Sequence, residues 1–448
     1  MRVLLTHGYF LAEDPKEREI MKPYAPLGLL YLSSHLRERG FAVEIYDSTF
    51  GTKSELFQEL EHGPQGILGI YVTLMTRGNV LEIVKRGKAA GWRIVLGGPE
   101  PANYAAQYLA AGADVLVAGE GEISLECLVR SGMNPADWPN VPGIIYRQTD
   151  GTVCRTAPAP LIGDLDAQPW PDRERIEMQK YLGAWRARHG QGSISVITAR
   201  GCPYHCEWCS HSVYGKTHRR RSPRRVVDEV EWIVERYHPE MLWLADDVFT
   251  IHYGWLEEYA AEMRRRSMRI PFECITRADR VNERVAATLA ALGCFRVWIG
   301  SESGSQRILD AMRRGVTVEQ VRNAVSLCRQ SGIQTGMFLM WGYEGEELED
   351  IEATATHVRE CKPDVFFTTV SYPIRGTPYY DRVETRLVNL GAWEQTTDRD
   401  LRIRGRHSRQ FYLHADDLLR HSAAAQPDPE KIAAARNGLR ATLQEVET

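Results

Sequence analysis

Thr198-Ala199-Arg200-Gly201-Cys202-Pro203-Tyr204-His205-Cys206-Glu207-Trp208-Cys209-Ser210 follows an apolar, β-branched run that begins at Ser193. The run reads as a buried strand, and the glycine and proline after it as a loop. Three cysteines at spacings of four and three residues let such a loop wrap three thiolates around one face of an iron–sulfur cube. Thiolates are the soft ligands that these clusters take, and three of them leave one iron open. The competing metal is zinc, because His211 lies two residues beyond Cys209. Structural zinc usually gathers two separated ligand pairs, and four ligands crowded together in one short loop strain a tetrahedron.

Downstream, apolar runs at 193–198, 241–245, 272–276, 295–299, 335–340 and 365–370 alternate with amphipathic stretches such as 223–237, 282–292 and 318–331. Six βα units on short connections predict an incomplete parallel barrel, a partial (β/α)6 TIM-type fold. Its chemistry would gather at the carboxyl ends of the strands. Those ends carry Asp246-Asp247, Arg277-Ala278-Asp279, Gly300-Ser301-Glu302, Gly342-Tyr343-Glu344-Gly345-Glu346 and Tyr372-Pro373-Ile374-Arg375-Gly376. One acidic pair explains itself as a helix cap. Carboxylates and an arginine on successive strand ends around a cysteine loop call for a ligand.

The pattern Cys-x-x-x-Cys-x-aromatic-Cys, with Trp208 before the last cysteine, resembles the signature of the radical S-adenosylmethionine superfamily. The likeness covers about residues 193–380 and is nearest to the branch with anaerobic magnesium-protoporphyrin cyclase and several C-methylases. It implies a 4Fe–4S cluster on Cys202, Cys206 and Cys209. It also implies S-adenosylmethionine on the open iron: Glu302 beside Ser301 at the ribose, backbone near Trp208 at the adenine, Arg277 on the methionine carboxylate, and Asp246 or Asp247 on the amino group. Two positions depart from the family pattern: Glu344 replaces a proline, and Arg375 precedes Gly376.

Residues 1–131 give a second series of βα units, with apolar runs at 3–6, 43–47, 67–71, 94–96 and 115–118. This predicts a doubly wound, Rossmann-like sheet that binds its ligand beyond the strand ends. Glycines there let a flat ligand or a phosphate approach the backbone. Pro26-Leu27-Gly28 opening the first helix, Thr73-Leu74, Gly97-Gly98-Pro99-Glu100 and Gly119-Glu120-Gly121-Glu122 together resemble the cobalamin-binding domain fused to radical S-adenosylmethionine enzymes. The resemblance makes these residues the cobalamin contacts. The Asp-x-His-x-x-Gly motif that supplies a lower cobalt ligand in related domains does not occur. His7 is therefore expected to be a strand-end histidine without a metal role.

Residues 132–192 form a proline-rich connector with a hairpin around Asp150-Gly151, and 381–448 a helical C-terminal region that reads equally as a lid or as a packing appendage. Arg219 to Arg225 reads as a solvated helix entrance, with a clamp or a docking patch for an acidic flavodoxin or ferredoxin as the sharper alternative. A net charge of −4 over 448 residues argues against nucleic acid. The absence of a long apolar run argues against a membrane span. The scattered remaining cysteines and the lack of a leader pattern predict a reducing, cytoplasmic setting. The expected partners are a small-molecule substrate and an electron donor such as flavodoxin or ferredoxin.

The resemblance thus implies cleavage of S-adenosylmethionine to a 5′-deoxyadenosyl radical and methylation of an unactivated carbon through methylcobalamin. An oxidative or ring-forming reaction with the same cofactors is the runner-up. A non-catalytic cobalamin or metal sensor is the reading from another class.

Overall fold

A computed structural model of the chain describes every residue except 389 and 390. The first sheet runs β2-β1-β3-β4-β5-β6-β7, with β1 Val3–His7, β2 Val43–Tyr46, β3 Ile67–Tyr71, β4 Arg93–Gly97, β5 Val115–Val117, β6 Ile144–Arg147 and β7 Val153–Arg155. β1 to β5 pair in parallel. Helices cover both of their faces, which is why they read as continuous apolar runs. The hairpin expected in the connector is present as β6 and β7, but it does not stand apart: β6 pairs antiparallel with β5 and widens the first sheet. The strand order reverses between β1 and β3, the place where such sheets open a crevice.

The second sheet runs β15-β14-β13-β12-β11-β8: β8 Ser193–Val196, β11 Met241–Leu244, β12 Phe272–Thr276, β13 Cys294–Glu302, β14 Gln334–Trp341 and β15 Val365–Val370. Every neighbouring pair is parallel and in chain order, and β8 and β15 remain as edges. This is an open six-stranded barrel. A small antiparallel ribbon, β9 Ala199–Arg200 with β10 Arg219–Arg220, closes the base of the cysteine loop. Helix Pro223–Tyr237 starts where Ser222 accepts from the Arg225 backbone N–H and Pro223 fills the first turn.

The C-terminal helices Arg409–Ala423 and Pro429–Ala441 bury Phe411, Leu418, Leu419 and Leu439 in the barrel's outer core. They therefore pack on the barrel as an appendage. The segment before them returns to the first domain. Arg77 donates to Glu100 at 2.6 Å and to the Trp393 and Thr396 carbonyls, and lies 3.4 Å from Asp398. Tyr181 and Trp185 of the connector brace the seam through Asp47 and the Pro23 carbonyl. Among the described residues, no helix is long and apolar enough to cross a membrane.

Candidate active site

The cysteine loop hangs on one buried carboxylate. Asp246, at the end of β11, accepts from the Thr198 N–H at 2.6 Å, the Ala199 N–H at 3.1 Å, the Thr198 hydroxyl, and Arg220 at 3.1 Å. Gly201 turns the chain at φ +84°, where a Cβ would run into the Thr217 carbonyl. Farther along, the Glu207 N–H donates to the Met312 carbonyl, and its carboxylate pairs with Arg313 and Arg382. Cys206 is buried, Cys202 half-buried and Cys209 exposed. The Cys206 sulfur faces two guanidiniums, Arg314 at 3.7 Å and Arg277 at 3.9 Å. Desolvation first, then Cys206, Asp247, Cys202 and Glu302, push the Cys209 thiol up to about 12.

Two neighbouring carboxylates, Asp247 and Glu302, thus add to the other two thiols in opposing ionisation of Cys209. No three His, Cys, Asp or Glu side chains among the described residues close on one point tightly enough for a single metal ion.

The strand ends separate working groups from structural ones. Asp246 is spent on the loop, whereas exposed Asp247 beside it has a carboxyl raised by desolvation and by Asp246. Arg277 is spent too. It donates to Asp279 at 2.9 Å and to the Arg314 and Gly315 carbonyls, and its guanidinium lies 3.6 Å from the centre of the Tyr204 ring. It therefore supports Cys206 and has no free fork for a methionine carboxylate. Ser301 is tied to His357 at 3.1 Å. Glu302 remains, almost buried, with Arg314 3.5 Å away. Burial raises its pKa, and Arg314 and Arg277 pull it down. Its φ of +60° falls at a register break in β13. A non-glycine residue held there stores strain of the sort found at functional sites. Trp208 packs against a cluster that includes Met340, Tyr343 and Tyr379. Glu344, standing where the family pattern has proline, pairs with Arg382 and Arg386. The Arg375 N–H donates to Asp398.

A cavity of about 230 Å³ opens beyond β1, β3, β4 and β5. Gly28, Gly97, Gly98, Gly119, Gly121, Glu120 and Glu122 line it, as expected from the sequence. Gly98 has φ +106°, and a Cβ there would meet the Val72 carbonyl at 2.5 Å. Most of the remaining wall is apolar, including Leu5, Val95, Val117 and Leu125. Such a slot suits a flat base, the kind of group that ends the nucleotide tail of cobalamin.

Pro26, Leu27, Thr73, Leu74, Pro99 and Glu100 do not line it. Leu27 packs with Leu30 and Tyr31, and Thr73 bonds to Thr76. Pro99 offers its carbonyl to Ser212, and Glu100 belongs to Arg77. His7 is buried, with its ring nitrogens at Asp47 and Ser48.

The lining residues that the sequence reading missed include three tyrosines and an arginine: Tyr31, Tyr71, Tyr214 and Arg200. Arg200 donates to Glu120 at 2.9 Å and to Glu122 at 2.6 Å, and it lies over the rings of Tyr31 and Tyr214. The two acidic residues thus face the seam between domains. The signal in sequence was a lone arginine directly before the cysteine motif. The basic stretch is likewise mostly inside: Arg219 binds Glu120, Arg220 binds Asp246, Arg221 binds Glu229, and Arg225 lies over Trp170, leaving Arg224 exposed. The expectation of a solvated helix entrance was wrong, because these cations are consumed by buried carboxylates. A surface docking patch has no arginine cluster to stand on there.

Residues 196–358 match the model of the Radical SAM superfamily, and residues 19–129 that of the B12 binding domain. An uncharacterized methyltransferase of Pyrococcus horikoshii is 28% identical over 85% of this chain and 83% of its own length. The anaerobic magnesium-protoporphyrin IX monomethyl ester cyclase of Rubrivivax gelatinosus is 29% identical over 82% of this chain and 67% of its own. Among solved structures, the radical S-adenosylmethionine methyltransferase TsrM from Kitasatospora setae, with cobalamin and a [4Fe-4S] cluster bound, shares the fold. Its TM-score is 0.71, with 22% identity over 86% of this chain and 74% of that one. The chain belongs to the radical S-adenosylmethionine enzymes that carry a cobalamin-binding domain, with a 4Fe–4S cluster, S-adenosylmethionine and cobalamin as cofactors.

Proposed function

We propose that this enzyme methylates an unactivated carbon of a small molecule. One observation carries the reading: a single loop serves both cofactor sites. Residues 202–209 hold the three cysteines. A few residues on, Val213 and Tyr214 line the glycine-walled slot, and the Ser212 hydroxyl donates to Pro99 of the Gly-Gly-Pro turn at 3.0 Å. Arg200, at the base of that loop, clamps Glu120 and Glu122 across the seam. A radical centre and a methyl carrier arranged this way share one substrate space.

In this reading Cys202, Cys206 and Cys209 ligate the cluster, with Arg277 and Arg314 donating to the Cys206 sulfur. Asp247 takes the amino group of S-adenosylmethionine, and Glu302 accepts from its ribose hydroxyls. Desolvation by the apolar cluster around Trp208 keeps water from the reacting end. Bound in these places, the cofactors supply a 5′-deoxyadenosyl radical and a transferable methyl group. An external flavodoxin or ferredoxin is the expected electron source.

The cyclase among the relatives supports an oxidative alternative. Product mass separates the two readings. Methylation adds one methylene unit to the substrate, and the oxidative reading is upheld instead by loss of hydrogens or gain of oxygen.

A further inference from the structure

The inner face of the open barrel carries a feature that the cofactors do not use. Along β13 and β14, Val297, Ile299, Met337 and Leu339 point into the helix-covered core, and Phe366 of β15 packs against it. Strand side chains alternate, so Trp298, Phe338 and Phe367 point into the barrel. Their rings form a near-parallel stack: Trp298 lies 5.1 Å from Phe338 at 15° and 5.4 Å from Phe367 at 8°.

Two glycines permit it. A Cβ on Gly336 would run into the Trp298 ring, so only glycine lets the indole lie flat over β14. A Cβ on Gly300 would meet Glu302 Oε1 at 2.6 Å, so the Glu302 carboxylate folds back onto the face that carries the rings. Gly300, Phe338 and Phe367 share one row across the sheet, next to the row of Glu302, Leu339 and Thr368. The indole plane is pinned by its N–H, which donates to Glu273 at 2.5 Å, while Arg296 holds Glu273 at 3.2 Å. Exposure rises outward along the stack: Trp298 is buried, Phe338 half-buried and Phe367 55% exposed, the one exposed phenylalanine among the described residues.

We propose that this stack is a platform for a planar aromatic or conjugated group of the substrate, seated on Phe367 with its reacting carbon toward Glu302. A single open ring inside a barrel offers far less than the roughly 800 Å² per partner of a stable protein interface, so the occupant is a small molecule. Rings held face-on select flatness as well as apolarity. The proposal rests on the methyl-transfer reading only in naming the occupant a substrate.

The test is equilibrium dialysis of the anaerobically reconstituted full-length enzyme against 2-naphthol and its saturated analogue 2-decalol. Wild type should prefer naphthol by about tenfold, as expected for one good ring pair. Phe367→Leu should bring the two within about twofold, Phe367→Tyr should keep the preference, and both variants should retain the thermal midpoint and bound cobalamin. Equal binding of the two probes by wild type, or a preference that survives Phe367→Leu, overturns the platform. So does a wild-type dimer that Phe367→Leu converts to monomer, since a second copy would then be the occupant. If the enzyme methylates nothing yet prefers naphthol, the methyl-transfer reading fails and the platform stands.

Discussion

The turn after β4 and the loop after β8 both lie at the carboxyl ends of parallel strands, and they touch through Pro99 and Ser212. They are made of opposite materials. Around Gly97 and Gly98 the chain removes side chains, and apolar walls enclose the resulting slot. Around Cys202, Cys206 and Cys209 it concentrates ionisable groups, with Arg277 and Arg314 against Cys206, Arg314 also near Glu302, and Asp247 exposed beside them. Space there suits a flat group packed on apolar walls, beside the Arg200, Glu120 and Glu122 cluster. Concentrated acid selects a cationic cluster and the zwitterion that chelates it.

If that contrast is right, the two sites fail separately. Cys206→Ser should abolish the cluster's visible absorbance and 5′-deoxyadenosine formation while bound cobalamin persists. Gly98→Val, which forces a branched side chain into φ +106° against the Val72 carbonyl, should weaken cobalamin retention by about tenfold or more and spare the cluster. Variants that each lose both cofactors would break the comparison.

The seam between the sites is the next place to press. Arg200→Met strands buried Glu122 and leaves Glu120 with Arg219 and the Ile162 N–H. Removing one partner of a buried pair costs about 3–5 kcal/mol, readable as a lower urea midpoint with an unchanged slope. A loss below about 1 kcal/mol would mean that the clamp is solvated in practice.

A separate effect concerns Glu346, which burial pushes up to about 8. A carboxyl with a folded pKa above its unfolded value holds its proton better when folded. Stability is therefore highest below the ordinary glutamate range and drains away as pH rises toward 8. Glu346→Gln should flatten that slope in thermal unfolding measured between pH 5 and 8; an unchanged slope would contradict the assignment.

The contrast also explains what the sequence could tell. Glycines and cysteines declare themselves, because few other residues can replace them where backbone must approach or metal must bind. Both sheets and the open barrel were legible from the apolar runs, and the slot's glycines with Glu120 and Glu122 from the letters themselves, whereas its apolar and aromatic walls were not. Partnership was not. Asp246 and Asp247 are indistinguishable as letters, and only the fold shows the first bonded to Thr198 and Ala199 and the second free. Arg277 looked like a ligand residue but spends its donors on Asp279 and two carbonyls. Glu120 and Glu122 looked like cofactor contacts and meet arginines from the other domain, and the Arg219 to Arg225 run looked solvated because its carboxylates come from distant parts of the chain. Long-range ion pairs leave no local pattern to read.

The proposed methylation needs S-adenosylmethionine to supply the methyl group that cobalamin passes to the substrate. The direct measurement follows S-adenosylmethionine carrying a deuterated methyl group on the reduced, reconstituted enzyme. It should deliver the label to protein-bound cobalamin with matching S-adenosylhomocysteine, and then to the product once a substrate is supplied. Formation of 5′-deoxyadenosine with no label on cobalamin and no S-adenosylhomocysteine would contradict it.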